Sequence, residues 1–347
     1  MSNCQFKGVV SVFLLLILPV SGCLSNEHAG DVELDYDADE NYSRLIDWLY
    51  KNESLPNDMP SNVLLNITHP AFNNNSYIER IDELNIFTKF NTPSIAYHFI
   101  PKNDSTNQLI IFHQGHGGGI ELGVEQISYF LSKGFAVIGY AMPLRGPNVV
   151  DSFSLPNETI HNISTTKHAE FAIIEQFNIS AIPIFIDPII QGINYVSANY
   201  DYSRISMVGL SGGGWTTVMA SAVDHRISRS YPVAGSIPYD LRDIKEINAD
   251  FEQNLNRTVY SIADYVDLYT LGSTGENRTQ TQIFNSVDPC CYYSEGRESE
   301  IYQYRDQIVN RNASFDVFFD TMNDGHEISQ NTLNFITYDL FQAEDPL

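Results

Sequence analysis

Gly209-Leu210-Ser211-Gly212-Gly213 follows an apolar, strand-like run, Ile205-Ser206-Met207-Val208. The residues after it, Trp215 to Ala220, favour a helix. Small residues on both sides let Ser211 occupy a tight strand-to-helix turn, which presents its hydroxyl beyond the end of a sheet. A bare Gly-X-Ser-X-Gly pattern is common by chance, but here it lies between a predicted strand and a predicted helix. Ser211 is therefore a candidate nucleophile, and a plain serine in a glycine-rich turn is the alternative.

From about residue 94 onward, apolar strands alternate with amphipathic helices, which is the pattern of an α/β sheet. Strands are predicted at 94–100, 108–112, 135–140, 205–208, 227–233, 282–285 and 315–319, and helices at 124–132 and 182–198. Before this region, the sequence predicts a short helix at 42–50 and turns rich in Asn and Pro. Residues 239–281 interrupt the alternation and are predicted to form a small cap insertion.

Two further candidate residues follow the last two predicted strands. His326 lies in Asn323-Asp324-Gly325-His326-Glu327, and Asp288 lies in Ser286-Val287-Asp288-Pro289. An imidazole titrates near neutral pH and can accept and return a proton, and a carboxylate can hold it in the required tautomer. Asp320 and Asp324 compete with Asp288 for that role because they lie nearer to His326 in sequence.

The order nucleophile, acid, histidine along alternating strands and helices resembles the α/β-hydrolase superfamily over about residues 90–340. The glycine-rich loop 113–119 is similar to loops of dienelactone-hydrolase-like and esterase members and of the related prolyl-oligopeptidase group. The resemblance implies a mostly parallel central sheet with helices on both faces. It also implies that Ser211 attacks, His326 is the base and Asp288 orients it.

The resemblance assigns half of an oxyanion hole to the loop 113–119. The backbone N–H groups of Gly212 and His116 are the expected donors, with Gly115 or Gly117 as alternatives to His116. His113 and His116 can also be interpreted as a metal-binding pair. No third ligand is evident in the sequence, so no metal site and no cofactor are expected.

Arg145 follows another predicted strand and has two interpretations. Its guanidinium can bind a substrate carboxylate in a bidentate manner, or it can form a structural ion pair. The aromatic residues of the predicted cap likewise either line a substrate pocket or form the small core of that segment: Phe251, Tyr260, Tyr265 and Tyr269.

The first 22 residues are predicted to be a signal peptide, because an apolar run at 8–20 follows Lys7. The run ends in Val20-Ser21-Gly22-Cys23, which resembles the lipobox of prokaryotic lipoproteins and implies lipidation of Cys23; an ordinary signal peptide is the alternative. Residues 23–40 are predicted to be an acidic tether, and residues 41–347 the hydrolase domain. Asn-X-Ser/Thr sequons are consistent with export and begin at Asn41, Asn52, Asn66, Asn74, Asn103, Asn157, Asn162, Asn178, Asn256, Asn277 and Asn312.

Composition and cysteine content restrict the remaining alternatives. The chain has 347 residues, of which 43% are hydrophobic, enough for a sizeable core. A formal net charge of −24 argues against nucleic acid as a partner. Besides Cys4 and Cys23, the chain has only the adjacent pair Cys290 and Cys291, which either forms a vicinal disulfide or remains as two thiols.

These features together predict an exported, lipid-anchored serine hydrolase that cleaves carboxylic esters of small molecules or polymers. A peptidase similar to the prolyl-oligopeptidase group, a deacetylase of polysaccharides and a non-catalytic binding protein on the same fold remain alternatives. The sequence does not indicate the oligomeric state.

Overall fold

The sheet is organised around the strand that leads into Ser211, which runs from Arg204 to Leu210. A computed structural model of the protein describes residues 36–51, 54–243, 246, 250–254 and 257–342. Its strands are β1 (Asn62–Leu64), β2 (Ile78–Phe87), β3 (Pro93–Pro101), β4 (Gln108–His113), β5 (Ala136–Tyr140), β6 (Ser152–Ser154), β7 (Ile160–Asn162), β8 (Arg204–Leu210), β9 (Ile227–Val233), β10 (Thr279–Asn285) and β11 (Phe315–Asp320).

Nine of these strands form one sheet in the order β1-β2-β3-β5-β4-β8-β9-β10-β11. The pairs from β5 to β11 are parallel, whereas β1, β2 and β3 add to the sheet in an antiparallel manner. β6 and β7 form a separate antiparallel hairpin. Because β4, β5, β8, β9, β10 and β11 are parallel, their carboxyl ends lie at one edge of the sheet, where sites collect in α/β folds.

Helices cover both faces of this sheet. They are α1 (Ala38–Tyr50), α2 (Val124–Ser132), α3 (Ala172–Glu175), α4 (Pro183–Asn199), α5 (Gly212–Val223), α6 (Val259–Ile262), α7 (Tyr265–Ser273), α8 (Glu298–Asn310) and α9 (Gln330–Gln342). None of these described helices is both long enough and apolar enough to cross a lipid bilayer.

The central strands are buried on both faces, and their side chains alternate between two apolar layers. Ile110 and Phe112 of β4 pack in one layer with residues of α2 and α9. Leu109 and Ile111 pack in the opposite layer with residues of α4 and α5. This alternation follows from the pleat of the strand, and it explains why these strands are continuous apolar runs.

The fold predicted from the sequence, a mostly parallel sheet with helices on both faces, is confirmed. The predicted helix at 124–132 and strand at 227–233 have the same bounds in the structure. The first helix begins at Ala38, four residues before the predicted start, so the predicted tether overlaps α1. Asp37 caps this helix because its side chain accepts the N–H of Glu40 at 3.0 Å.

The segment predicted to be a cap, 239–281, belongs mainly to the helical layer. Leu268 and Tyr269 of α7 are fully buried in the same core as Trp215 and Met219 of α5, and residues 279–281 lie in β10. The four aromatic residues named for this segment are all buried, and the rings of Tyr239 and Tyr265 stack on the Arg242 guanidinium at 4.2 and 4.6 Å. They therefore form a structural core.

Candidate active site

Ser211 lies between β8 and α5 with φ 57° and ψ −121°. Positive φ is unfavourable for a residue with a side chain, so it persists only where the surroundings impose it. Here the Ser211 N–H donates to the Val233 carbonyl at 2.9 Å, and the carbonyl of Gly213 fills the space that a Cβ on Gly209 would need. The conformation is that of the sharp turn predicted from the sequence, and it places Ser211 at the carboxyl edge of the sheet.

Asp288 and His326 are in direct contact. The Nδ1 atom of His326 lies 2.8 Å from Oδ2 of Asp288, whose side chain is fully buried. Asp288 also accepts the N–H groups of Cys290 and Cys291 at 2.8 and 3.2 Å and the Asn285 amide at 3.1 Å. Burial alone would raise the pKa of Asp288, but the interactions with His326 and the other donors outweigh burial and leave this pKa below its usual value.

The two rival carboxylates do not contact His326 in this structure. Asp320, at the end of β11, accepts hydrogen bonds from the side chains of Ser329, Asn331 and Thr332, which tie it to the start of α9. Asp324 is exposed in the loop that carries His326. Of the three candidate acids, Asp288 is the one bonded to the imidazole.

The other nitrogen of His326, Nε2, is buried and has no hydrogen-bond partner among the described residues. It therefore makes no hydrogen bond to the Ser211 hydroxyl in this state. Ser211, Asp288 and His326 follow the carboxyl ends of β8, β10 and β11, which are parallel, so all three lie at one edge of the sheet. Catalytic hydrogen bonds are often long or incomplete without substrate, so Nε2 remains available as a base.

The glycine-rich loop packs directly on the serine. A Cβ on Gly115 would lie 2.9 Å from Cβ and 3.5 Å from Oγ of Ser211, and a Cβ on Gly212 would lie 2.6 Å from Nδ1 of His116. Among the described residues, no acceptor takes the amide N–H of Gly212, Gly115, His116 or Gly117. Gly212 opens helix α5, where such N–H groups are free to bind an anion.

His113 and His116 do not form a pair. His113 is buried, its Nδ1 lies 2.9 Å from the Gln114 carbonyl oxygen, and burial lowers its pKa to about 4. His116 instead lies beside a fully buried Glu252, with 2.8 Å between Nε2 and Oε1.

His168 contacts the other oxygen of the same carboxylate, with 2.9 Å between its Nδ1 and Oε2 of Glu252. Burial would raise the Glu252 pKa, but the two histidines lower it well below its usual value. His168 and Glu252 could not be identified from the sequence, because neither follows a strand of the parallel sheet. They are identified by their proximity to His116 in the folded structure.

Arg145 donates to three backbone carbonyls. Its Nε bonds the carbonyl of His116 at 2.8 Å, and its Nη1 bonds those of Leu144 and Thr166 at 3.1 and 2.5 Å. The bond to the His116 carbonyl holds the glycine-rich loop in place. Binding of a substrate carboxylate by Arg145 remains a prediction.

Cys290 and Cys291 are joined by a disulfide bond in the structure, next to Asp288. The predicted lipidation site, Cys23, and the predicted signal peptide lie outside the described residues.

The sheet order, the helices on both faces and the serine turn together define the α/β-hydrolase fold. The sequence matches no protein-family model and no curated protein. Solved structures with this fold do match, at sequence identities that establish the fold alone.

Three of these structures are of proteins named as esterases. The protein is similar to Methylesterase BT1017, with a TM-score of 0.58 and 16% identity, over 88% of this chain and 62% of the other chain, so it spans less than two thirds of that protein. It is similar to acetyl xylan esterase 1 from Thermoanaerobacterium sp. JW/SL YS485, with a TM-score of 0.58 and 14% identity, over 88% and 93% of the two chains. It is also similar to an acetyl xylan esterase from Paenibacillus sp. R4, with a TM-score of 0.57 and 15% identity, over 91% and 95%.

Proposed function

We propose that this protein is a serine hydrolase that cleaves carboxylic esters through Ser211, His326 and Asp288. The observation that carries the proposal is the 2.8 Å contact between His326 and a buried Asp288 at the sheet edge where Ser211 is held at positive φ. A structural histidine in a loop has no need of a buried carboxylate on one nitrogen and an unpartnered second nitrogen. A binding protein would need none of this arrangement.

In the proposed reaction, Nε2 of His326 takes the proton of Ser211 as Oγ attacks the ester carbonyl carbon. The N–H of Gly212 and an N–H of the glycine-rich loop stabilise the negative charge that develops on the carbonyl oxygen. The C–O bond to the alcohol then breaks, and His326 returns its proton to the departing alcohol. Water, deprotonated by His326, then attacks the acyl carbon; the bond from that carbon to Oγ of Ser211 breaks, His326 returns the proton to Oγ, and the acid is released.

The proposal is tested with a fluorophosphonate probe on the full chain, on Ser211→Ala and on a control variant, Ser203→Ala, which changes an exposed serine before β8. Labelling of the wild type and of Ser203→Ala, with the probe located on the peptide that contains Ser211, supports the proposal. Labelling that persists in Ser211→Ala, or that never occurs in the folded wild type, contradicts it.

The bond that is cleaved is tested separately with aryl esters of graded acyl length and with prolyl amides. Turnover of esters, abolished in Ser211→Ala, supports the esterase assignment. Turnover of prolyl amides but not of esters would favour the peptidase alternative over the esterase assignment. Labelling by the probe without turnover of either class would show that the enzyme hydrolyses another kind of bond.

The substrate panel includes acetylated and methyl-esterified polysaccharides, because three proteins of similar structure are two acetyl xylan esterases and a methylesterase by name. At 14–16% identity these names guide the choice of substrates to assay and assign none.

We also propose that the protein is exported and anchored through a lipid on Cys23, on the basis of the apolar run and Val20-Ser21-Gly22-Cys23. Mass analysis of the N-terminal peptide of the mature protein tests this proposal. A lipid-modified peptide that begins at Cys23, and release from the membrane fraction in Cys23→Ser, would support it. A mature N-terminus elsewhere, or an unmodified Cys23, would refute it.

A further inference from the structure

His116, His168 and Glu252 converge although they are far apart in sequence. One ligand atom from each lies within 4.8 Å of the others. The side chains of Glu252 and His168 are 0% and 1% exposed, and that of His116 is 18% exposed. A carboxylate removed from water in this way requires compensation by positive charge or by strong hydrogen bonds.

Hydrogen-bond geometry around His168 requires a proton or a metal ion between this ring and Glu252. Its Nε2 lies 2.8 Å from the carbonyl oxygen of Pro143, which can only accept, so Nε2 carries a proton. A neutral imidazole has no second proton, and its Nδ1 would then present a lone pair to Oε2 of Glu252 at 2.9 Å. Two acceptors do not approach this closely unless a proton or a metal ion lies between them.

His168 has the surroundings that a zinc-bound histidine has. Metal-ligating histidines usually direct their second nitrogen at a carbonyl or a carboxylate. For His168 this partner is the Pro143 carbonyl at 2.8 Å, whereas Oδ2 of Asp250 lies 3.6 Å from Nδ1 of His116, beyond hydrogen-bonding distance. The opposite nitrogen of each ring faces Glu252.

We infer that His116, His168 and Glu252 bind one zinc ion. Two imidazoles and a carboxylate form a donor set that suits Zn²⁺, which is commonly four-coordinate in proteins. Ligand atoms around a tetrahedral zinc lie roughly 3.3–3.6 Å apart, as follows from bond lengths of about 2.0–2.2 Å. The present separations are 2.8 and 2.9 Å, and binding of the ion would open each of them by roughly 0.4–0.8 Å.

The ion would connect three segments that come from different parts of the chain. His116 belongs to the glycine-rich loop beside Ser211, His168 follows the β6–β7 hairpin, and Glu252 lies in a helical turn before α6. Zinc would therefore stabilise the position of the loop that carries a candidate oxyanion donor. The inference concerns ion binding and does not depend on the proposed ester hydrolysis.

The test measures zinc bound to the full chain, stripped with a chelator, by equilibrium dialysis and elemental analysis. A Cys4→Ser, Cys23→Ser background removes competing thiols. The variants are His168→Gln and Glu252→Gln, and the matched control is His161→Gln, because His161 forms a similar pair with Glu170 near the surface but has no third ligand. Circular dichroism establishes that each variant is folded.

The expected result is about one equivalent of zinc per chain, with a rise in the melting temperature on zinc addition. We expect affinity to fall at least ~10-fold in His168→Gln and in Glu252→Gln, and to be unchanged in His161→Gln. Less than a tenth of an equivalent in the wild type overturns the inference and leaves a proton on His168 as the cation. Equal binding by folded His168→Gln and the wild type overturns it as well. Should both variants unfold, the same measurement on His116→Gln, whose side chain is partly exposed, decides: zinc binding equal to that of the wild type overturns the inference.

Discussion

At the scale of single residues, the candidate site depends on Asp288. Its two oxygens accept four hydrogen bonds, and one of them comes from His326. This arrangement fixes the His326 tautomer with the proton on Nδ1 and leaves Nε2 free to accept the serine proton.

Replacing Asp288 with Asn should reverse that tautomer, because an amide at the same position donates where the carboxylate accepts. We expect kcat for ester hydrolysis to fall by roughly two to four orders of magnitude with KM little changed. Steady-state kinetics measure this effect. Asp324→Asn, which alters the exposed rival in the His326 loop, serves as the control and should retain activity within about twofold. Loss of activity in Asp324→Asn alone would move the acid role to Asp324.

Gly115 and Gly117 of the glycine-rich loop differ in how closely neighbouring atoms would approach an added Cβ. On Gly115 a Cβ would meet the Leu210 carbonyl oxygen and Ser211 Cβ, both at 2.9 Å, whereas on Gly117 its nearest neighbour is the flexible Leu122 side chain at 3.3 Å. Gly115→Ala should therefore displace the loop from Ser211 and lower kcat/KM at least ~10-fold. Gly117→Ala should stay within about twofold, and equal losses in the two variants would show that the loop does not position the site.

At the scale of elements, Arg145 connects the loop after β5 to the loop after β4. Because it donates to the carbonyl of His116 in the glycine-rich loop and also to those of Leu144 and Thr166, its role in this structure is to connect that loop to these two residues.

Arg145→Lys should have different effects depending on whether Arg145 holds the glycine-rich loop or binds the substrate. Lysine cannot reproduce the fork of donors, so we expect kcat for a neutral ester to fall roughly 10- to 100-fold with an unchanged KM. Arg305→Lys, at a surface ion pair with Asp306, is the control. If KM instead rises only for an ester that bears a carboxylate, Arg145 binds the substrate.

The elements that could be predicted from the sequence are those whose pattern is local. β4, β8 and β9 are apolar runs bounded by turns, and α2 has apolar residues at helical spacing, so their positions were predictable. β2 was missed because polar residues interrupt its apolar pattern; Asp82 is buried there and pairs with Arg80 at 2.9 Å. α8 and α9 were missed as well, since their mixed polar faces give a weaker pattern than the buried strands.

The same distinction applies to the candidate site. Ser211, Asp288 and His326 each follow a predicted strand of a parallel sheet, so topology alone places them at one edge. The cluster of His116, His168 and Glu252 depends on loops that meet in space, and no spacing along the chain encodes it. The choice of Asp288 over Asp320 likewise became clear only from the partners of each carboxylate.

At the scale of the whole molecule, a buried acid links the N-terminal helix to the sheet layer. Asp187 of α4 is 5% exposed and accepts the hydroxyl of Tyr50, the last residue of α1, at 2.9 Å. It lines a surface cavity of about 500 Å³ together with Asp58, Lys89 and Gln191. Burial raises the pKa of Asp187 to about 7, against the opposing effects of Tyr50 and Lys89.

This pKa makes stability depend on pH in a defined direction. Between its unfolded pKa near 4 and its folded pKa near 7, Asp187 holds a proton in the folded protein that the unfolded chain has lost, so its contribution to stability falls as pH rises through this window. Asp187→Asn cannot ionise. Relative to the wild type, we expect its free energy of unfolding to improve by roughly 2–4 kcal/mol between pH 5 and pH 8.

Urea unfolding of the wild type, Asp187→Asn and the exposed control Asp201→Asn at both pH values measures this difference. A gap between the wild type and Asp187→Asn that is the same at pH 5 and pH 8 would show that Asp187 is already ionised across the window.

The central claim is that the Ser211 hydroxyl and the His326 imidazole act together on a substrate carbonyl. A crystal structure of the protein after reaction with a phosphonate ester inhibitor tests it most directly. We expect phosphorus bonded to Oγ of Ser211. We also expect Nε2 of His326 within hydrogen-bonding distance of that oxygen or of the leaving-group position, and a phosphoryl oxygen about 2.7–3.1 Å from the N–H of Gly212. An adduct on another residue, or an adduct on Ser211 with the His326–Asp288 pair remote from it, would contradict the account.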